Sequence, residues 1–321
     1  MNSSTSNSER ITPQSARFIV RFAWVAGAFL LFTMAVNYFV DPHYRFGTNR
    51  IGVYISSERE YKATAVQIYP HDGLIVGNSK PSIIDPLKID NIRFFNAGFA
   101  SAKPEEIYAF LQRYAHDQKV VVLALDFGMF NEGAAPIRTD PFERPFFSDA
   151  CRYLLSLTSF QYAMEGLFRK VAGQGVTILP TGQSNPEPYL KKDKLFTEEH
   201  YEPALRLLRE DTFNNFDYSE TRIGYIEKIR DLLKERGIQL IVFISPENDA
   251  VLDLIHSLPA GDDFARWKVD LNRIVPNVID LSDDPAWQAH KNYFLHDPYH
   301  YFPEAGTRIM QDHILPAIET H

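Results

Sequence analysis

The chain has 321 residues, 45% hydrophobic and 23% charged, which is enough apolar material for one substantial core and too ordinary a mixture for a disordered, collagen-like or coiled-coil chain. A formal net charge of −8 leaves no basic footprint for nucleic acid. The single cysteine, Cys151, excludes an internal disulfide and a multi-cysteine zinc site, while 24 Phe and 16 Tyr favour large buried surfaces or an apolar cleft.

Residues 1–21, rich in Ser, Thr and Asn at their start, read as a disordered cytoplasmic tail. Residues 22–40, from Phe22 to Val40, carry no formal charge. As a helix rising 1.5 Å per residue they would be about 28 Å long, close to the thickness of a bilayer core. Arg10, Arg17 and Arg21 precede this run and Asp41 follows it, so the positive-inside rule keeps the tail in the cytoplasm and carries the remainder across the inner membrane. Trp24, Tyr38 and Phe39 sit near its ends, where interfacial aromatic belts form. A cleaved signal peptide would have a shorter apolar core and small residues at its end, which Val36-Asn37-Tyr38 does not supply. A buried helix of a soluble protein would have a polar face, and this run has none. Beyond residue 21 there are 30 basic and 40 acidic residues, so the exported part is acidic and anionic lipid would not hold it. Residues 41–70 read as a juxtamembrane linker.

From residue 71 apolar runs alternate with helical patterns. Gly73 to Gly77 is short, apolar and bounded by glycines, as a strand buried on both faces should be, and Ile92 to Asn96 is a second strand. Pro104 to Tyr114 reads as a helix with Ser101 as its cap and Ile107, Phe110, Leu111 and Tyr114 on one face. Val120 to Leu125 is the clearest central strand and ends in Asp126. Arg222 to Arg236 is amphipathic, with Ile226, Ile229, Leu232 and Leu233 inward and Gly237 just past its end. Ile238 to Ile244 and Val278 to Leu281 complete five strands, and Glu304 to Ile318 is a closing helix. The pattern predicts an α/β domain over residues 71–321: a three-layer α/β/α sandwich on a mostly parallel five-stranded sheet, with an insertion at about 127–220. An insertion of this length, here rich in proline and in aromatics such as Phe142, Phe146 and Phe147, is usually a lid or a binding segment.

Ligands of such sheets lie beyond the carboxyl ends of the strands. After the first strand comes Gly77-Asn78-Ser79-Lys80, whose glycine permits a tight turn and whose serine lands where backbone N–H groups can hold an oxyanion. After the second comes Asn96-Ala97-Gly98, whose glycine N–H can approach a ligand closely. After the last comes Asp297-Pro298-Tyr299-His300. A serine needs a histidine to take its proton, and the histidine needs a carboxylate to orient it. Ser79, His300 and Asp297 supply all three. A metal site of His296, Asp297 and His300 lacks a fourth ligand and a flexible loop. Glu198-Glu199-His200 and Lys191-Lys192 read as solvated faces, Lys80 as a surface residue or as the partner of a substrate or structural carboxylate, and Cys151 as a small buried residue.

Gly77-Asn78-Ser79, Gly98 and Asp297-x-x-His300 together resemble blocks one, two and five of the SGNH (GDSL-like) hydrolase superfamily. The likeness extends to its membrane-anchored branch, which includes the D-alanine transfer protein of teichoic acid synthesis and the alginate O-acetylation proteins that work beside membrane-bound O-acyltransferases. It spans residues 70–315 or so. It implies a flavodoxin-like sheet, no metal and no cofactor, with Ser79 as nucleophile, His300 as base and Asp297 as its orienting carboxylate. The backbone N–H groups of Ser79 and Gly98 would form the oxyanion hole. The third block, Gly-x-Asn-Asp, is absent, so its amide donor would be Asn131, which position favours, or Asn248, which the local Asn248-Asp249 pair favours. The implied activity is acyl transfer through a Ser79 ester, with acetyl passed to or removed from an exopolysaccharide hydroxyl, and the insertion's aromatic rings as a platform for sugars. An esterase acting on lipid or small esters is a second reading. A non-catalytic scaffold binding polysaccharide or a membrane acyltransferase is a third.

Overall fold

The computed structural model of the protein describes residues 12–52, 58–133, 136–143, 146–173, 177–187, 190, 198–288 and 297–318. Strands form where β-branched and aliphatic residues are concentrated between turn formers: β1 (Gly73–Gly77), β2 (Phe94–Gly98), β3 (Val120–Leu125), β4 (Gln239–Ile244) and the two-residue β5 (Ile279–Asp280). All pair in parallel, in the order β2-β1-β3-β4-β5. The chain therefore leaves β1 towards one edge and returns as β3 on its other side. This makes the carboxyl ends of β1 and β3 the topological switch point.

Alternation along the strands feeds two apolar clusters. On β3, Val121, Leu123 and Leu125 enter the larger cluster and Val120, Val122 and Ala124 the smaller. The larger is covered by α2 (Glu58–Ile68), α3 (Pro104–Tyr114), α8 (Glu220–Glu235), α9 (Asp249–His256) and α10 (Ala260–Ile274). The smaller is covered by α11 (Pro285–Gln288) and α12 (Pro303–Ile309), with Met310 and Ile314 continuing the packed face. The long connection after β3 contains α4 (Asp140–Glu143), α5 (Phe146–Leu154), α6 (Leu157–Val171) and α7 (Glu198–Leu208). Helix α3 begins two residues later than a Ser101 cap would place it. Ser101 takes a left-handed φ of 54°, and the Lys103 N–H is held by the Glu106 carboxylate.

The amino-terminal apolar run is one helix, α1 (Pro13–Val40), long and apolar enough to cross a membrane. It starts at Pro13 rather than at residue 22, because the Thr12 hydroxyl caps it and proline suits a first turn. Within 41–70, the described residues around Asp41 and those of α2 are fastened to the domain. The Asn37 amide donates to the carbonyls of Tyr153, Leu154 and Ser156, closing the end of α5. The Asp41 carboxylate accepts from the N–H groups of Arg45, Phe46 and Thr48 and from the Tyr153 hydroxyl. Farther on, Tyr61, Ala63, Ala65 and Val66 of α2 enter the larger cluster. The helix thus continues into the domain through a hydrogen-bonded knot.

The insertion departs from expectation as well. Phe142 is buried against Phe99 and Phe110, a core position and not an open platform for sugars, while the side chains of Phe146 and Phe147 lie outside the described residues. Cys151 is exposed on α5, not buried. Residues 177–185 run along the free edge of β2, where Asn96 N–H donates to the Thr181 carbonyl (2.8 Å) and Ser184 N–H to the Ser82 carbonyl (2.8 Å).

Candidate active site

The nucleophile turn is built by glycine geometry. Gly77 ends β1 at φ 154°, and a Cβ there would stand 2.6 Å from the Ala124 carbonyl oxygen, so only glycine lets the chain turn there against β3. Asn78 Oδ1 then accepts the Lys80 N–H (3.0 Å), and the Ser79 carbonyl accepts from the Ser82 N–H (3.2 Å) and hydroxyl (2.6 Å). Asn96, fully buried on β2, clamps the far side: its Nδ2 donates to the carbonyls of Pro81 (2.8 Å) and Ile84 (2.9 Å).

The partner loop is organised by one carboxylate. Asp297 Oδ1 accepts the N–H groups of Tyr299 and His300, each at 2.8 Å. His300 Nδ1 lies 3.0 Å from Asp297 Oδ2, and His300 Nε2 lies 2.9 Å from Ser79 Oγ. The carboxylate fixes the tautomer: Nδ1–H donates to Asp297, leaving Nε2 to accept the Ser79 hydroxyl proton. Burial pushes the Asp297 carboxyl up, but hydrogen bonds from the His300 ring and from the two backbone N–H groups prevail and hold it below the ordinary carboxylate range. The three residues expected to work together are brought together.

Under this line lies a charge cluster whose members, Asp126 and Glu247 around Lys80, the sequence does not name. Of the two readings of Lys80 the carboxylate pairing holds and the surface one does not: the side chain is fully buried, with Nζ 2.7 Å from Asp126 Oδ2 at the end of β3 and bonded to Glu247 past the end of β4. The Tyr299 hydroxyl donates to Asp126 Oδ1 (2.7 Å) and accepts from Asn78 Nδ2 (3.1 Å), and its ring lies 4.2 Å from the Lys80 ammonium. Burial raises the Glu247 carboxyl, and the neighbouring Asp126 charge adds to this. For Asp126 burial acts the same way, but the Lys80 ammonium and its hydrogen bonds outweigh it and leave that carboxyl lowered. At Lys80 burial disfavours the ammonium, but the Asp126 charge and the hydrogen bonds to Asp126 and Glu247 outweigh it and hold its pKa up. One ammonium, one carboxylate and one protonated carboxyl are therefore buried together without net charge. Since Tyr299 sits between Asp297 and His300, the cluster also ties the nucleophile turn to the histidine loop. The signal available in sequence was positional: Lys80, Asp126 and Glu247 each stand within three residues of a strand's carboxyl end.

Of the expected oxyanion donors, the Ser79 N–H donates to no acceptor among the described residues. Gly98 does not fill that role here, because its N–H donates to Asn96 Oδ1 at 3.0 Å. Its contribution is steric: a Cβ would stand 2.9 Å from Asn78 O and from Ser82 N, so glycine lets β2 press against the nucleophile turn. Asn131 Nδ2 is committed to the Thr212 carbonyl (2.9 Å). Asn248 is buried past the end of β4, where its Oδ1 accepts from Ala250 N–H and the Tyr201 hydroxyl while Nδ2 donates to no described residue. Asn248 is thus the freer of the two amides. His296 and residues 191–192 lie outside the described residues, and so do the side chains of 198–200. Beside the histidine loop a largely apolar cleft of about 460 Å³ opens between Asp85, Lys88, Leu179, Gln183, Leu190 and Pro303.

No family model matches this chain, and no curated protein does.

Proposed function

We propose that the chain is a membrane-anchored serine acyltransferase or esterase of the SGNH (GDSL-like) hydrolase superfamily, with a three-layer α/β/α catalytic domain on the periplasmic side of the inner membrane. The observation that carries this reading is the hydrogen-bonded line from Ser79 Oγ through His300 to Asp297 at the carboxyl edge of a parallel sheet. Apolar clusters on both faces of the sheet support the three layers. Helix α1, with Arg17 and Arg21 on the amino-terminal side of its apolar run, supports the anchor and its orientation.

In this mechanism Ser79 Oγ attacks an ester carbonyl as His300 Nε2 takes the hydroxyl proton. Asp297 holds Nδ1–H and stabilises the imidazolium. The negative charge that develops on the carbonyl oxygen meets the Ser79 N–H, with the Asn248 amide as second donor. Collapse breaks the bond to the alcohol, which leaves with the proton from His300, and the acyl group stays on Ser79. An acceptor hydroxyl then gives its proton to His300 and attacks the acyl-serine, and Ser79 recovers its proton as the new ester departs. The acyl group proposed is acetyl and the acceptor a polysaccharide hydroxyl, handled beside a membrane-bound O-acyltransferase. Water as acceptor gives hydrolysis instead.

A fluorophosphonate probe tests the reading. The expected adduct is on Ser79, absent from Ser79→Ala and strongly reduced in His300→Ala. Incubation with p-nitrophenyl acetate, with and without oligosaccharide, then separates acetate release from ester formation on the sugar. A folded protein that never labels refutes catalysis and leaves the scaffold.

A further inference from the structure

Helix α6 is patterned against the rule for a surface helix. The residues it turns inward are small, Ser159, Ala163 and Gly166, all buried. At 100° per residue, Leu157, Phe160, Met164, Phe168 and Val171 fall within an arc of about 80° on roughly the opposite side. Of these, Leu157, Phe168 and Val171 are 57%, 69% and 88% exposed. A helix bordered by water places its large apolar residues towards the core. Small residues inward with large apolar residues outward is the pattern of a helix packed on another helix in lipid.

What adjoins this stripe points the same way. The Ser156 carbonyl, at the start of α6, accepts from Asn37 of α1, and four residues on the Phe160 ring lies 6.0 Å from that of Phe32. Moving up α6 thus means moving down α1, so the two helices run antiparallel side by side. On α1 itself Phe29, Leu30 and Leu31, next in sequence to Phe32, are exposed as well. Among the described residues, ten large apolar side chains are exposed outside α1, and four of them (Leu155, Leu157, Phe168 and Val171) belong to α6 or the two residues before it. Glu165 and Arg169 pair with each other at 2.7 Å on the flank, which lowers the cost of placing them near lipid, and Lys170 is exposed at the end of the helix with reach to headgroup phosphates.

We propose that α6 is a second membrane-seated element, its Leu157–Phe168–Val171 stripe lying against lipid acyl chains beside α1. The inference rests on reading α1 as a membrane helix. With two antiparallel helices seated together, the domain is held at a set height and rotation, which a single helix on a loose linker would not achieve.

The test uses the full chain with Cys151→Ser, reconstituted in phosphatidylcholine–phosphatidylglycerol vesicles, with single cysteines carrying a bimane label. Probes go at Phe168→Cys and Val171→Cys on α6, at Leu31→Cys on α1, and at Lys234→Cys on exposed α8. Brominated acyl chains should quench both α6 probes to within about twofold of the residue 31 probe and leave residue 234 unquenched. Quenching at residue 31, with both α6 probes as bright as residue 234, would overturn this proposal and leave the anchor intact. No quenching at residue 31 would overturn the anchor, and the seating of α6 with it.

Discussion

Replacing Lys80 by methionine probes the buried cluster directly. Methionine keeps an unbranched stem but removes the ammonium 2.7 Å from Asp126, in a place where Asp126 and Glu247 are 1% and 3% exposed. Removing one partner of a buried ion pair costs roughly 3–5 kcal/mol. Glu247 is held protonated at neutral pH, so only the Asp126 carboxylate is stranded, which puts the expected loss near the lower end, about 3 kcal/mol. At 2–4 °C per kcal/mol for a domain of this size, the melting temperature should fall by roughly 6–12 °C. pH gives a second signature. Without the ammonium both buried carboxyls are raised, so the folded variant binds protons that the unfolded chain releases, and its deficit should be smaller at pH 5 than at pH 8. Adding Glu247→Gln should change the loss at pH 8 little, since without the ammonium Glu247 keeps its proton there. Thermal unfolding by circular dichroism in detergent at both pH values measures all of this. A Lys80→Met protein melting with the parent at pH 8, or with the same deficit at pH 5 and pH 8, would refute the pairing.

Three further outcomes follow from the same geometry. Asp297→Asn should leave folding nearly unchanged but lower turnover about 10⁴-fold by presenting the wrong His300 tautomer; a steady-state rate within about tenfold of the parent would contradict the assigned role. Gly98→Ala should slow fluorophosphonate labelling of Ser79 by about 100-fold, because its Cβ would stand 2.9 Å from Asn78 O and Ser82 N and must shift the nucleophile turn; unchanged labelling kinetics would show that the turn yields freely. Glu247→Gln should flatten the alkaline side of the stability profile. Burial raises Glu247 from 4.5 to about 8, so the stability it contributes is full below 4.5 and lost as pH rises through about 8. The parent's melting temperature should therefore drop more between pH 6 and pH 9 than the variant's, and parallel curves would count against a proton held on Glu247.

What was legible in the chain was what depends on short spacing. A glycine-bounded apolar run followed by Asn78-Ser79 identifies a strand and its turn, and an aspartate three residues before a histidine can orient it on one loop. A carboxylate partner for Lys80 is one of two readings the sequence allows, but which carboxylates it meets is not legible, because Asp126 and Glu247 come from the ends of β3 and β4 and only the sheet order brings them to it. Gly98 was assigned as a donor because a glycine advertises close approach without saying what approaches; here the neighbour is the backbone of Asn78 and Ser82, and the N–H is taken by Asn96. The fastening of Asn37 and Asp41 is not legible locally, because the groups that hold them, on Tyr153, Leu154 and Ser156, lie more than a hundred positions away.

The segment along β2 has a consequence for self-association. A parallel sheet offers unpaired backbone groups at its two outermost strands, and a long one can template the addition of a foreign chain. Here one margin is the two-residue β5, too short to recruit a neighbour, and the other is occupied where Thr181 receives the Asn96 N–H. Copies anchored in a membrane, as proposed, would collide often, and neither margin of this sheet would give them an extended ladder to prolong.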